Sequence, residues 1–109
     1  MPFYSTSIRF DSTPKRDLVD SFAKRYFAKQ SKKDGFVTAG FIETEDHFDI
    51  VCVFSNFAGC NDLQIRDEVI EFGKPIANLI DYCIANDIDI VYKIYAKHDS
   101  VPEMQQWNG

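Results

Sequence analysis

Phe48-Asp49-Ile50-Val51-Cys52-Val53-Phe54-Ser55 is the stretch on which the fold turns. Phe48, Ile50, Cys52 and Phe54 alternate with Asp49, Val51, Val53 and Ser55, the two-residue period of a strand. Both sets become apolar midway, and a strand with two apolar faces fits the centre of a sheet. Residues 36–44 read as a partner strand, joined to it by a short turn around Glu45-Asp46-His47.

Working toward the N-terminus, residues 3–10 alternate Tyr4, Thr6, Ile8 and Phe10 against Phe3, Ser5, Ser7 and Arg9, which predicts another strand. Asp11-Ser12-Thr13-Pro14 then announces a helix, with Ser or Thr as cap and proline at the first helical position, where its missing N–H costs nothing. Leu18, Val19, Phe22, Ala23, Tyr26 and Phe27 form one apolar stripe, and the helix is expected to run to about Lys33. Asp34-Gly35 supplies the stop.

Toward the C-terminus, residues 56–61 are loop-like, with two Asn and one Gly. From Asp62 to Asn86 the apolar residues Ile65, Val69, Phe72, Ile76, Leu79, Ile80 and Cys83 keep helical spacing across Gly73-Lys74-Pro75. One kinked helix or two in register follows, and the competing reading makes 65–72 extended with a helix from Pro75. Residues 88–97 close with a strand, Ile88, Ile90, Tyr92, Ile94 and Ala96 expected inward, Asp89, Val91, Lys93, Tyr95 and Lys97 outward. The tail, 98–109, reads as irregular. The order β-α-β-β-α-β predicts a single α+β domain over residues 1–97, a ferredoxin-like antiparallel sheet with two helices on one face.

At 109 residues, 45% hydrophobic and 27% charged, the chain has the size and composition of one globular domain, not of a disordered segment. Ten Phe and five Tyr must fill much of its core. No apolar run is long enough for a membrane span, and residues 1–7 do not read as a secretory leader. Cys52, Cys60 and Cys83 match no zinc or redox spacing, which predicts reduced thiols and a cytoplasmic location.

The charge is sorted by position. Residues 1–33 carry +5 and residues 34–109 carry −10, for a net −5. Arg25, Lys29, Lys32 and Lys33 make a basic stripe at the end of the first helix, fit either to bind phosphate or to complement the helix dipole. Glu43, Glu45, Asp46 and Asp49 cluster at the hairpin, while Asp67 and Glu71 share a helical face with Glu68 beside it. Nucleic acid is an unfavoured partner, because the central strand carries an aspartate and no base where an RNA reader needs exposed aromatics and cations.

The remaining residues with chemical potential are isolated. Asp11 lies at the end of the first strand, and Phe10-Asp11-Ser12-Thr13-Pro14 resembles the strand end of small metal-dependent nucleases of CRISPR adaptation. That resemblance implies magnesium held by Asp11, with a symmetric dimer supplying a second carboxylate. His47 and His98 form no metal-ligating cluster, so no metal or cofactor is expected. Phe57 and Trp107 are large aromatics in irregular segments, with Phe57 expected to cap the core.

The favoured expectation is a non-catalytic acidic protein-binding module, an inhibitor, immunity or regulatory protein docking on a basic protein partner. Its contact residues would be Glu43, Glu45, Asp46, Asp49, Phe57, Asp67, Glu68 and Glu71. The alternatives are the Asp11 nuclease and a nucleic-acid adaptor using the basic helix. The chain is expected to be a monomer, or a homodimer through an edge strand.

Overall fold

The computed structural model describes residues 2–60 and 65–107, with the backbone alone for Ile65 and residues 91–93. Asn61, Asp62, Asn108 and Gly109, included in the sequence readings above, lie outside the described residues. The elements in order are β1 (Phe3–Phe10), α1 (Arg16–Gln30), β2 (Phe36–Glu43), β3 (Phe48–Phe54), a 3-10 turn (Phe57–Gly59), α2 (Ile65–Phe72), α3 (Lys74–Ala85), β4 (Ile90–His98) and β5 (Gln105–Gln106). The architecture is α+β and ferredoxin-like, with one antiparallel five-stranded sheet ordered β4-β1-β3-β2-β5.

The doubly apolar strand takes the place its sequence predicts. β3 lies mid-sheet between β1 and β2 and is buried along its whole length. Antiparallel partners directly opposite each other share a face. Phe10 opposite Phe48, Ile8 opposite Ile50 and Thr6 opposite Cys52 therefore define one side of the sheet. Val19, Phe22, Ala23, Tyr26 and Phe27 of α1, Phe72 of α2 and Ile76, Leu79 and Cys83 of α3 join that side in one core. Phe27 of α1 meets Phe41 of the sheet at 5.5 Å, and Phe22 of α1 meets Phe72 of α2 at 5.8 Å.

The expected second helix is two helices in register. Gly73 sits at φ 68° between them, a left-handed conformation that suits glycine, and Pro75 falls in the first turn of α3. The 65–72 segment is helical, so the extended alternative is set aside. The start of α1 also differs from expectation. Lys15 occupies the cap position without a side-chain cap bond, and Thr13 donates instead to Glu43 at the far end of β2.

Two further corrections concern the C-terminal third. The register of β1 with β4 slips between Ser7 and Arg9, so Ile90 lies opposite Phe10 but Tyr95 lies opposite Thr6. A bulge of this kind inverts the alternation beyond it. Tyr95 and Lys97 are therefore on the helix-facing side and Ile94 and Ala96 on the other, the reverse of the sequence reading. The tail is not wholly irregular, since Gln105 and Gln106 add β5 alongside Phe41 and Gly40. Gly40 makes this approach possible, because a Cβ there would lie 2.3 Å from the Gln105 carbonyl oxygen.

On the side of the sheet away from the helices, Val51, Val53, Ser5, Ser7 and Asp49 are also buried. Residues 99–104 link the His98 end of one sheet edge to the Gln105 end of the other. No helix among the described residues is long and apolar enough to cross a membrane.

Candidate functional site

A set of polar side chains lies inside the helix–sheet interface, where an ordinary core would be apolar. Thr6 on β1 is opposite Cys52 on β3 and opposite Tyr95 on β4, so the three make a row across the sheet. Above that row, α1 contributes Tyr26 and, one turn later, Gln30, and α2 contributes Glu68. Tyr26 and Glu68 are 0% exposed and Thr6 and Gln30 are 1% exposed. Tyr95, at the edge strand, is 39% exposed and brings the row to solvent.

The Tyr26 ring is held by aromatic neighbours, Phe22 at 5.4 Å, Phe72 at 5.6 Å and Phe27 at 6.0 Å between centroids. Burial pushes its phenol well above the ordinary value of 10.0; the nearby Cys52, Glu68 and Tyr95 add to that rise, and the Thr6 hydroxyl opposes it. Tyr26 is consequently a hydrogen-bond donor throughout the physiological range. Both amide atoms of Gln30 are buried without a hydrogen-bond partner among the described residues. A primary amide offers two donors and a carbonyl acceptor, and leaving them unmet in a core costs about 1–3 kcal/mol.

This cluster was missed in the sequence, although a signal existed. Glu68 is three residues after Ile65 and four before Phe72, and Gln30 is four after Tyr26, so both fall on the apolar stripe of their helices.

The expected docking residues do not assemble into one acidic surface. Asp49 is 3% exposed and is gripped by Arg9, Nε donating to Oδ1 at 2.8 Å and Nη2 to Oδ2 at 2.9 Å. That hydrogen-bonded pairing, with the Asp49 charge behind it, raises the Arg9 pKa against the opposing effect of burial. His47 Nε2 lies 3.6 Å from Oδ2 of the same carboxylate. Glu43 accepts from Thr13, and Glu71 pairs with Lys29. Asp67 lies 3.8 Å from its neighbour Arg66. Glu45 and Asp46 are exposed on the hairpin turn, where the Thr44 hydroxyl accepts the Asp46 and His47 N–H groups. Phe57 does not cap the core; it is 64% exposed and rests on Tyr4 at 4.5 Å.

The basic stripe is largely turned inward to α2. Arg25 donates to the Phe72 carbonyl at 3.2 Å, closing the end of that helix, and Lys29 takes Glu71. Lys32 lines the groove between the two helices, and Lys33 follows in the turn after α1. Asp11 is a clasp: its Oδ1 accepts the Asp89 N–H at 2.9 Å, and its own N–H donates to the Asp89 carbonyl at 3.0 Å. No group of three potential metal ligands converges among the described residues. Cys52 and Cys83 are buried, and burial, with the Asp11 charge adding to it, pushes the Cys83 thiol up to about 11.

No protein-family model and no curated protein matches the chain. Among solved structures it is similar to SnoaB, a cofactor-independent oxygenase from Streptomyces nogalater, at 12% identity and a TM-score of 0.47, over 94% of this chain and all of that one. The expectation of a non-catalytic acidic docking module is corrected by where its acidic residues lie. Within this molecule, Asp49 and Glu68 are buried and Glu71 is neutralised by Lys29. Asp11, Arg25 and Lys29, on which the nuclease and adaptor alternatives rest, are engaged in holding elements together.

Proposed function

We propose that this chain is a small-molecule enzyme whose reaction is a proton transfer in the interior between the sheet and the helices. The observation that carries this reading is a carboxyl whose charge bears on a phenol, Glu68 and Tyr26, with the Gln30 amide one turn beyond Tyr26 on α1, all at no more than 1% exposure. Withdrawing a carboxyl from water costs several kcal/mol, and an apolar residue of similar volume fills a core at least as well. Buried titratable groups gathered at one place are the arrangement expected of a catalytic site.

The chemistry follows from the groups. The Glu68 carboxylate takes a proton from an activated C–H of the substrate, and the electron pair moves onto an adjacent carbonyl oxygen. The Tyr26 hydroxyl and the Gln30 amide N–H donate to that oxygen as its charge develops. The surrounding Phe22, Phe27 and Phe72 rings suit a flat aromatic ketone.

The test uses 2-tetralone, an aromatic ketone with acidic C–H groups, in D2O. Loss of its exchangeable proton signals is followed by NMR with and without the protein. The wild type is expected to accelerate exchange, and Glu68→Gln to lower the accelerated rate by about 100-fold or more. Absence of acceleration by the wild type, or equal rates for wild type and Glu68→Gln, overturns the reading.

A further inference from the structure

A second site lies on the other side of α1. The start of that helix, β2 and β5 enclose a cleft of about 330 Å³, lined by Arg16, Asp20, Lys24, Phe41, Gln105 and Trp107. Its floor is aromatic. Phe41 is 7% exposed, and Trp107, half-buried, packs on Phe27 at 5.2 Å. Its outer wall is a built feature, since β5 approaches β2 so closely only because position 40 lacks a side chain. The Trp107 N–H donates to the Ala39 carbonyl at 2.9 Å and fixes that wall.

The charges in the cleft are unequal in their commitments. Arg16 is held in place twice, by Asp20 at 3.1 Å and over the Phe41 ring at 4.8 Å. Asp20 is thereby neutralised. Lys24 makes no ion pair among the described residues and gives the cleft its net positive charge. A cationic excess over an aromatic floor stands out in a chain of net charge −5. The volume lies at the low end of small-ligand pockets.

We infer that this cleft binds a small aromatic carboxylate, its ring against Phe41 and Trp107 and its carboxylate on Lys24. The site is distinct from the interior cluster, which uses Tyr26 and Gln30 on another face of α1, and it does not depend on the activity proposed there.

Trp107 is the only tryptophan in the chain, so its emission is a signal for binding, and the Lys24 variant assigns that binding to the cleft. The probe is 2-naphthoate, whose absorption overlaps tryptophan emission, with neutral 2-naphthamide as its control. Titration is followed by quenching of Trp107 and by calorimetry. Naphthoate is expected to quench Trp107 and to bind at least about 3-fold more tightly than the amide, one exposed ion-pair increment. Lys24→Met keeps the aliphatic stem at an exposed position and should weaken naphthoate at least about 3-fold while leaving the melting temperature unchanged. No quenching and no heat at millimolar naphthoate overturns the inference. So does equal affinity for the amide, or equal affinity in Lys24→Met.

Discussion

Asp49 and Glu68 are both withdrawn from water, at 3% and 0% exposure, but they lie on opposite sides of the sheet and are kept there by different means. Asp49 faces Arg9 across paired strands, held by a two-pronged hydrogen bond in which each oxygen has its own donor. This geometry compensates the cost of burying a carboxylate and fixes the register of the two strands. Glu68 is buried in the helix layer beside Tyr26, which feels its charge. One carboxyl fixes the register of two strands and the other lies beside a phenol. Position in the chain does not separate them; what they face does.

The comparison breaks most visibly at Arg9. Arg9→Met leaves Asp49 buried beside His47 alone and should lower stability by about 2–3 kcal/mol, the usual cost of breaking a buried pair reduced for the partial exposure of Arg9. Urea unfolding measures it. Adding Asp49→Val to that variant should restore most of the loss, because removal of both partners leaves no uncompensated charge. If the single variant is as stable as wild type, the pair is not what holds the register.

Glu68 should matter less to the fold. Glu68→Leu places an apolar side chain on the Ile65–Phe72 stripe, and should cost less than about 1 kcal/mol in the same unfolding measurement. Proton exchange into 2-tetralone should be lost in that variant. A loss as large as that of Arg9→Met would mean that Glu68 serves the fold as Asp49 does, and the contrast between them would disappear.

The legible part of this molecule is the part written in apolar spacing. Phe48 to Phe54, the α1 stripe and the phase maintained across Gly73 each imply one arrangement, and the hairpin, the helix layer and the two-helix break follow. What was not legible depends on pairing. Arg9 and Asp49 are forty residues apart and meet only through strand register. The slip between Ser7 and Arg9 turns Tyr95 to the helix side, although the local alternation of 88–97 is clean. β5 is two residues long and has no period to detect. Glu68 and Gln30 stand on apolar stripes, but Glu68 also belongs to an acidic run that reads as surface charge.

The smallest effect tests the interior most directly. The Tyr26 phenol is raised well above 10.0 in the folded protein, chiefly by burial, whereas an unfolded-state tyrosine titrates near 10. Above that value the unfolded chain releases a proton that the folded chain keeps, so folding stability falls as pH rises. The contribution is present in full below about pH 10 and is lost progressively on the way to the folded-state value. For this one group the loss is about 0.8 kcal/mol at pH 10.5. Tyr26→Phe removes the titrating hydroxyl and should flatten the wild-type decline by that amount between pH 9 and 10.5, while costing less than about 1 kcal/mol at pH 7. Chemical unfolding of both proteins across that range gives the difference. Parallel curves would show that the phenol is solvated, and would remove the dry interior on which both its donor role and the contrast with Asp49 depend.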